Sequence, residues 1–235
     1  MSPEPSALTS VAQDYLKVIW SAQEWSDAPV TTKMLAERIG VGPSTVSETV
    51  RRLGEQGLVS HARYGAVELT EAGSAHAVAM VRRHRLLETF LVDELGYGWD
   101  EVHDEAEVLE HAVSDLLIDR IDARLGFPTR DPHGDPIPTR DGAVPAPAAH
   151  VLWGLEAGDW VVARISDADP ELLRYLASVG LVLDARVHVV ALRPAAGVVA
   201  VRVRAPLGGA PEEERAVELG EAGASAIWLI AAHAG

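Results

Sequence analysis

Cysteine is absent from the 235 residues. No disulfide framework is possible, and any metal site has to be built from histidine and carboxylates. No apolar run reaches the ~18 residues of a membrane span, so none is expected. Residues 1–10 contain no lysine or arginine and no apolar stretch, so no secretory leader is expected and the cytoplasm is the default compartment. Nucleophile triads, phosphate-binding glycine loops and the His-Glu-x-x-His metal motif are all missing. Between Asp100 and Asp119 there is no lysine or arginine at all, against eight acids.

What is present is ordinary for a folded chain. Apolar residues make up 48% of it, and the length suffices for more than one core. The net charge of −15 looks wrong for a nucleic-acid partner, but its distribution matters more than its sum. From Val30 to Gly65 five basic residues (Lys33, Arg38, Arg51, Arg52, Arg63) face three acidic ones (Glu37, Glu48, Glu55). One segment therefore suits phosphates, and the acidic segment from 100 to 119 suits cations.

The pattern divides the chain into blocks. Residues 1–75 alternate helical and turn-like stretches. Residues 76–140 carry long amphipathic helical runs. Prolines crowd residues 128–150, which reads as a linker, with 141–150 as its core. Residues 151–235 contain short β-branched runs at 160–165, 185–190, 198–203 and 226–230, the pattern of a small β barrel. Among them, a capping Asp followed by Pro170 predicts a short helix. The fold class expected is mainly α with a small β domain.

Thr31–Ile39 reads as a short amphipathic helix, Gly40-Val41-Gly42 as a break, and Pro43–Leu53 as a second helix with Val46, Val50 and Leu53 facing inward. That is a helix-turn-helix. Leu58–Leu69 adds two strands meeting near Tyr64-Gly65, a wing. A second helix entering the major groove N-terminus first would bring Ser44, Thr45, Ser47 and Glu48 nearest the bases or phosphates. Arg51, Arg52 and Arg63 would neutralise phosphates. A winged helix that binds protein instead remains the alternative.

His84 and Glu88 stand at i, i+4 on one helical face. His103, Glu107, Glu110 and His111 follow at spacings of four, three and one, a single stripe if the segment is helical throughout. Carboxylates gathered so closely repel one another unless a cation relieves them.

Asp14-Tyr15-Leu16, the winged helix, Arg83-His84-Arg85-Leu86, Val102-His103-Asp104-Glu105, Glu110-His111 with Ser114-Asp115, and Asp131–Pro138 together resemble the diphtheria-toxin-repressor family of iron- and manganese-dependent repressors. The resemblance implies an N-terminal winged helix, a helical dimerisation and metal-binding domain and a C-terminal SH3-like barrel. It implies a primary metal site of Asp14, Glu107, Glu110 and His111. An ancillary site of His84, Glu88 and His103 would be completed from the SH3-like domain, where Asp169 and Glu171 align with about two residues of slack. Both of these also suit the start of a helix. His103 then leaves the single stripe.

Iron-responsive members carry Met and Cys where this chain has Asp14 and Glu107. Hard oxygen donors suit Mn²⁺, and other divalent transition metals can substitute in vitro. Compact manganese regulators have a glutamate where this chain has Lys17, which argues against a carboxylate-bridged metal pair of that type. The implied function is a Mn²⁺-activated repressor. It binds palindromic operator DNA as a homodimer to control metal-ion homeostasis genes, with no membrane and no small-molecule substrate. An Fe²⁺-responsive repressor is the alternative, and a di-metal carboxylate enzyme a distant one. Leu86, Leu87, Phe90, Leu91 and Leu95, with Ala112, Leu116 and Ile118, supply apolar surface for both core and dimer interface.

Overall fold

The computed structural model describes residues 8–61, 65–145, 147–204 and 214–232. Helix α1 (Ser10–Glu24) starts where the Thr9 hydroxyl accepts a hydrogen bond from the Ala12 N–H. Helix α2 (Thr32–Ile39) starts under the Thr31 hydroxyl in the same way, and α3 (Pro43–Glu55) opens with proline at its first turn, where a missing N–H costs nothing. Strands β1 (Val59–His61) and β2 (Val67–Leu69) pair antiparallel, Ser60 opposite Glu68. Tyr15, Leu16, Ile19, Leu35, Val46, Val50 and Leu53 form one buried core beneath them. This is the winged helix expected from the punctuation of the sequence. The expected wing residue Arg63 lies outside the described residues.

Helix α4 (Glu71–Leu95) is 25 residues long, about 37 Å at 1.5 Å per residue. Its first turn presses on the wing: a Cβ on Gly73 would fall 1.9 Å from the Leu58 carbonyl oxygen. Farther along, it packs against α5 (Val102–Leu109) and α6 (Asp115–Arg124). Leu86, Leu87, Leu91, Val102, Ile118 and Ile121 close that core. The structure thus separates what periodicity could not. Leu86, Leu87, Leu91 and Ile118 are core residues of the chain itself, while Leu95, Val108, Leu116, Leu117 and Phe127 stand exposed.

The C-terminal domain is a six-stranded antiparallel sheet in the order β3-β8-β4-β5-β6-β7. Its strands are β3 (His150–Val151), β4 (Gly158–Ile165), β5 (Arg186–Arg193), β6 (Val198–Arg204), β7 (Arg215–Gly220) and β8 (Ile227–Ala231). Helix α7 (Pro170–Ser178) follows β4, and α8 (Glu221–Ser225) precedes β8. Leu173 and Leu176 of α7 seal one end of a core built from Val162, Ile165, Val187, Val189, Val201 and Leu229.

One expectation fails in part. Residues 128–150 do not form a free linker, because residues 131 and 133–138 are buried. His133 accepts a backbone hydrogen bond from Ile165 N–H through its carbonyl, at 2.9 Å. Gly134, at φ +91°, leaves room for the β4 backbone: a Cβ there would sit 2.1 Å from the Ala163 carbonyl oxygen. Strand β4 is consequently buried on both faces from Val162 to Ile165. Proline excludes regular structure, but it does not exclude packing.

This loop joins all three domains. Arg85 of α4 grips Glu24 of α1 at 2.9 and 2.5 Å. Asp135 accepts from Trp25 Nε1 at 2.8 Å and from Arg164 Nε of β4 at 2.6 Å. The Arg164 guanidinium lies over Trp228 of β8, 4.1 Å from the ring centre, a cation–π contact out of water.

Candidate metal centres and DNA-reading face

Among the described residues, four overlapping groups of ligand-type side chains meet where α1, α4, α5 and the β4–α7 connection converge; they form two centres, with His84, Glu107 and Glu110 as the group between them. The first is Asp14, Glu110 and His111. Asp14 comes from α1, and Glu110 and His111 from the turn after α5. His111 Nε2 lies 2.8 Å from Asp14 Oδ1 and 3.6 Å from Glu110 Oε1, while its Nδ1 lies 2.8 Å from the Gln13 amide oxygen. That oxygen can only accept, so Nδ1 carries the proton and Nε2 faces the carboxylates. An imidazole held this way offers its lone pair to a cation. Burial raises the Asp14 pKa above its usual value, against the pull of His111 and Lys17. A cation beside it would restore the carboxylate.

Glu107, the fourth residue expected here, points at Lys17. The Lys17 ammonium donates to Glu107 Oε1 at 2.7 Å and to Glu110 Oε1 at 2.6 Å. Burial disfavours that ammonium, but Glu110 and Glu107 more than compensate and raise its pKa. Glu107 is pulled below its usual range, its burial outweighed by Lys17 and by His103 and His84.

The second cluster is His84, Glu88 and His103. His84 Nε2 stands 3.0 Å from Glu88 Oε1 and 3.2 Å from His103 Nδ1, and His103 Nδ1 stands 3.3 Å from Glu88 Oε1. Three ligand atoms therefore point at one spot. Against burial, Glu88 and Glu110 push His84 up to about 9. Asp167 and Glu88 push His103 up to about 10, also against burial. Both charged rings can donate to Glu88 Oε1, but at 3.2 Å they repel one another, a cost that one metal ion in place of the two protons would remove. Glu88, despite its burial, is held well below the carboxylate range by His84 and His103.

The single-stripe reading of 103, 107, 110 and 111 does not hold. Helix α5 ends at Leu109, and the turn that follows sends Glu110 and His111 toward α1 while His103, at the helix start, meets α4.

Two residues enter that the sequence reading missed. Asp167 Oδ2 lies 3.1 Å from His103 Nδ1, and Asp167 clusters with Glu88 and His133. The expected Asp169 and Glu171 are not in any of these clusters. Asp169 Oδ1 is occupied as the cap of α7, accepting from the Glu171 and Leu172 N–H groups at 2.9 and 3.1 Å, and Glu171 is exposed on the first turn. The position next to Pro170 is the cap, which leaves the Asp two residues earlier free for the site.

His133 is 1% exposed. Its Nε2 lies 2.6 Å from the Trp99 carbonyl oxygen, so Nε2 carries the proton. Among the described residues its Nδ1 has no hydrogen-bond partner, and it stands 3.9 Å from Glu88 Oε2. A buried, unpartnered acceptor facing a carboxylate fits a divalent cation. The donors of both centres are oxygen and imidazole nitrogen without sulfur, a set compatible with Mn²⁺ or Fe²⁺.

In the winged helix, α3 exposes Ser44, Thr45, Ser47, Glu48, Arg51 and Arg52 along one face and buries Val46, Val50 and Leu53 on the other. Arg51 is paired with Glu48 at 2.7 Å and with Glu55, so a phosphate would have to win it from two exposed carboxylates. Ser47 donates to the Pro43 carbonyl at 2.9 Å.

The chain matches three family models: the N-terminal DNA binding domain of iron dependent repressors over residues 7–67, their metal binding and dimerisation domain over 70–139, and the FeoA domain over 156–230. The iron-dependent repressor IdeR of Mycobacterium tuberculosis is 37% identical over 195 residues, covering 77% of this chain and 84% of IdeR. A manganese-dependent transcriptional repressor solved in complex with manganese is 61% identical, with a TM-score of 0.88, covering 94% of this chain and all of that one. The manganese regulator SloR is 31% identical with a TM-score of 0.78, over 94% and 98% of the two chains.

Proposed function

The chain belongs to the family of iron- and manganese-dependent repressors, and from that premise we propose that it is a Mn²⁺-activated repressor whose first metal centre is a joint between reading head and dimer core. The observation that carries the proposal is the 2.8 Å approach of Asp14 on α1 to His111 after α5. Asp14 belongs to the winged helix. Glu107, Glu110 and His111 belong to the domain whose family description includes dimerisation. A divalent ion supplies two positive charges and directed bonds, and so favours the arrangement in which both sets of ligands meet. Ligands can select that arrangement only through differential affinity.

The chain's own residues do the rest. The α1 backbone fixes Asp14 at a set distance from α3. The Gln13 amide aims His111, and Glu110 is held by Lys17 and His84. The exposed Leu95, Leu116 and Leu117 on the helical domain suit a twofold interface, and a dimer would present two α3 helices to a palindromic site. The second centre takes His84, Glu88, His103, His133 and Asp167, with Asp167 replacing Asp169 and Glu171. It fastens the SH3-like domain to the helical one.

Manganese is favoured over iron by the sulfur-free ligand set and by the 61% identical manganese-dependent relative, while the 37% identical relative is iron-dependent by name. Among the described residues no helix is long and apolar enough to cross a membrane. We place the protein in the cytoplasm, with no catalytic role. Selection from random duplex DNA under Mn²⁺, anaerobic Fe²⁺ and chelator tests the reading. One palindrome recovered with Mn²⁺ and not with chelator is expected, and equal recovery in all three would remove metal as the switch.

A further inference from the structure

Lys17 is not a metal ligand, yet it sits among the ligands. It lies on α1 one turn after Asp14, with its side chain 9% exposed. Its ammonium donates to one oxygen of Glu107 and one of Glu110, and that Glu110 oxygen is the one facing His111. Burying an ammonium is unfavourable unless carboxylates surround it, and here two do. Asp14, Glu107 and Glu110 bring three negative charges. One ammonium and one divalent ion balance them, whereas a second divalent ion would not.

We propose that Lys17 is a resident cation of the first centre: it holds Glu107 and Glu110 together before metal arrives, limits the centre to one divalent ion, and weakens the binding of that ion. It thereby sets the metal concentration at which the repressor engages. The proposal rests on the assignment of Asp14, Glu107, Glu110 and His111 as that centre.

Two consequences oppose each other. Before loading, Lys17 links α1 to the end of α5 through an ion pair alone, a tie without the directed bonds of a divalent ion, so it gathers the carboxylates but leaves the switch to metal. On loading, an ion entering beside Asp14 and His111 meets carboxylate oxygens already in use and a like charge a few Å away. The flexible lysine stem lets the ammonium retreat while Asp14, fixed by a short side chain, stays. A lysine with a purely structural role would move stability and metal affinity in the same direction. A resident cation moves them in opposite directions.

The test compares Lys17→Gln and Lys17→Arg in a His103→Ala background, which silences the second centre. Mn²⁺ is titrated by calorimetry, bound Mn²⁺ is counted by electron paramagnetic resonance, and melting is followed with chelator. Lys17→Gln is expected to melt lower in chelator yet to bind Mn²⁺ more tightly, by at least about tenfold given the size of a unit-charge interaction at a few Å. Lys17→Arg keeps the weaker affinity. Unchanged or weaker Mn²⁺ binding by Lys17→Gln overturns the proposal. Should that variant not fold, Lys17→Met, which keeps the apolar stem, carries the same expectation. His111→Ala in the same background separates the two ideas. If it still binds one ion as its parent does, the assignment of the centre has failed. If it loses the ion while Lys17→Gln binds like its parent, only the resident cation has failed.

Discussion

Glu110 Oε2 lies 2.6 Å from His84 Nδ1, and through this contact the two candidate metal centres are joined by a carboxylate. Glu110 is 0% exposed, and its other oxygen serves Lys17 and faces His111. A ring nitrogen held by a carboxylate fixes the orientation and raises the basicity of the opposite nitrogen as a ligand. His84 Nε2, the nitrogen facing Glu88 and His103, is held in that way.

Glu110→Gln should therefore weaken both ions, whereas His111→Ala should weaken only the first. Glu110→Gln also leaves Lys17 without its one fully buried counter-charge, Glu107 being half exposed, at a cost of about 3 kcal/mol or more in the metal-free protein. Calorimetric Mn²⁺ titration and chelator-treated melting measure the two effects. Loss of a single ion in Glu110→Gln would argue against a shared carboxylate.

Asp167 and Asp169 differ in role although two residues apart. Asp167→Asn should lower second-centre affinity by about tenfold or more, on the scale of losing a metal partner. Asp169→Asn should leave metal binding unchanged, since Asn also caps helices, and Asp169→Ala should cost about 1 kcal/mol of stability through α7 alone. Metal titration of the two Asn variants side by side distinguishes them.

His133→Phe removes the unpartnered Nδ1 while keeping an aromatic ring in the buried slot beside Trp99. Second-centre Mn²⁺ affinity should fall about tenfold or more, with the first centre unaffected. Equal affinity in both proteins would show that His133 is a packing residue.

The metal-free protein should lose stability as pH rises. Against burial, Glu88, Glu110 and Asp167 hold His84 and His103 at about 9 and 10, above the ordinary 6.5. Groups raised in the folded state stabilise it fully below 6.5, and that contribution is lost as pH climbs through 9 to 10. Melting with chelator should thus fall between pH 6.5 and 10, and His103→Gln should flatten the slope. Metal loading expels these protons, so Mn²⁺ affinity should rise over the same range.

Much of the fold was legible because its signals are local. Gly40 to Pro43 punctuates the helix-turn-helix, Val46, Val50 and Leu53 mark the inner face, and Asp169-Pro170 marks the start of α7. His84 and Glu88 were legible as an i, i+4 pair. What failed depended on where helices stop or on contacts distant in sequence. The end of α5 at Leu109 breaks the stripe of 103, 107, 110 and 111. His133 was hidden in a proline-rich stretch read as linker, although a histidine between Asp131 and Asp135 was a signal. Asp167 was passed over for Asp169, yet capping already claims the Asp that precedes Pro170. Strands β3 and β7 were missed because the first is two residues long and the second carries charge at Arg215 and Glu218.

The most direct test of the joint is Asp14→Ala. Operator affinity of the wild type and the variant would be measured with Mn²⁺ and with chelator, alongside sedimentation. A 100-fold gain on metal addition corresponds to about 2.7 kcal/mol of coupling. The account predicts that Asp14→Ala remains a dimer but loses most of the gain that metal confers. A variant that binds the operator with the full metal response of the wild type would contradict it.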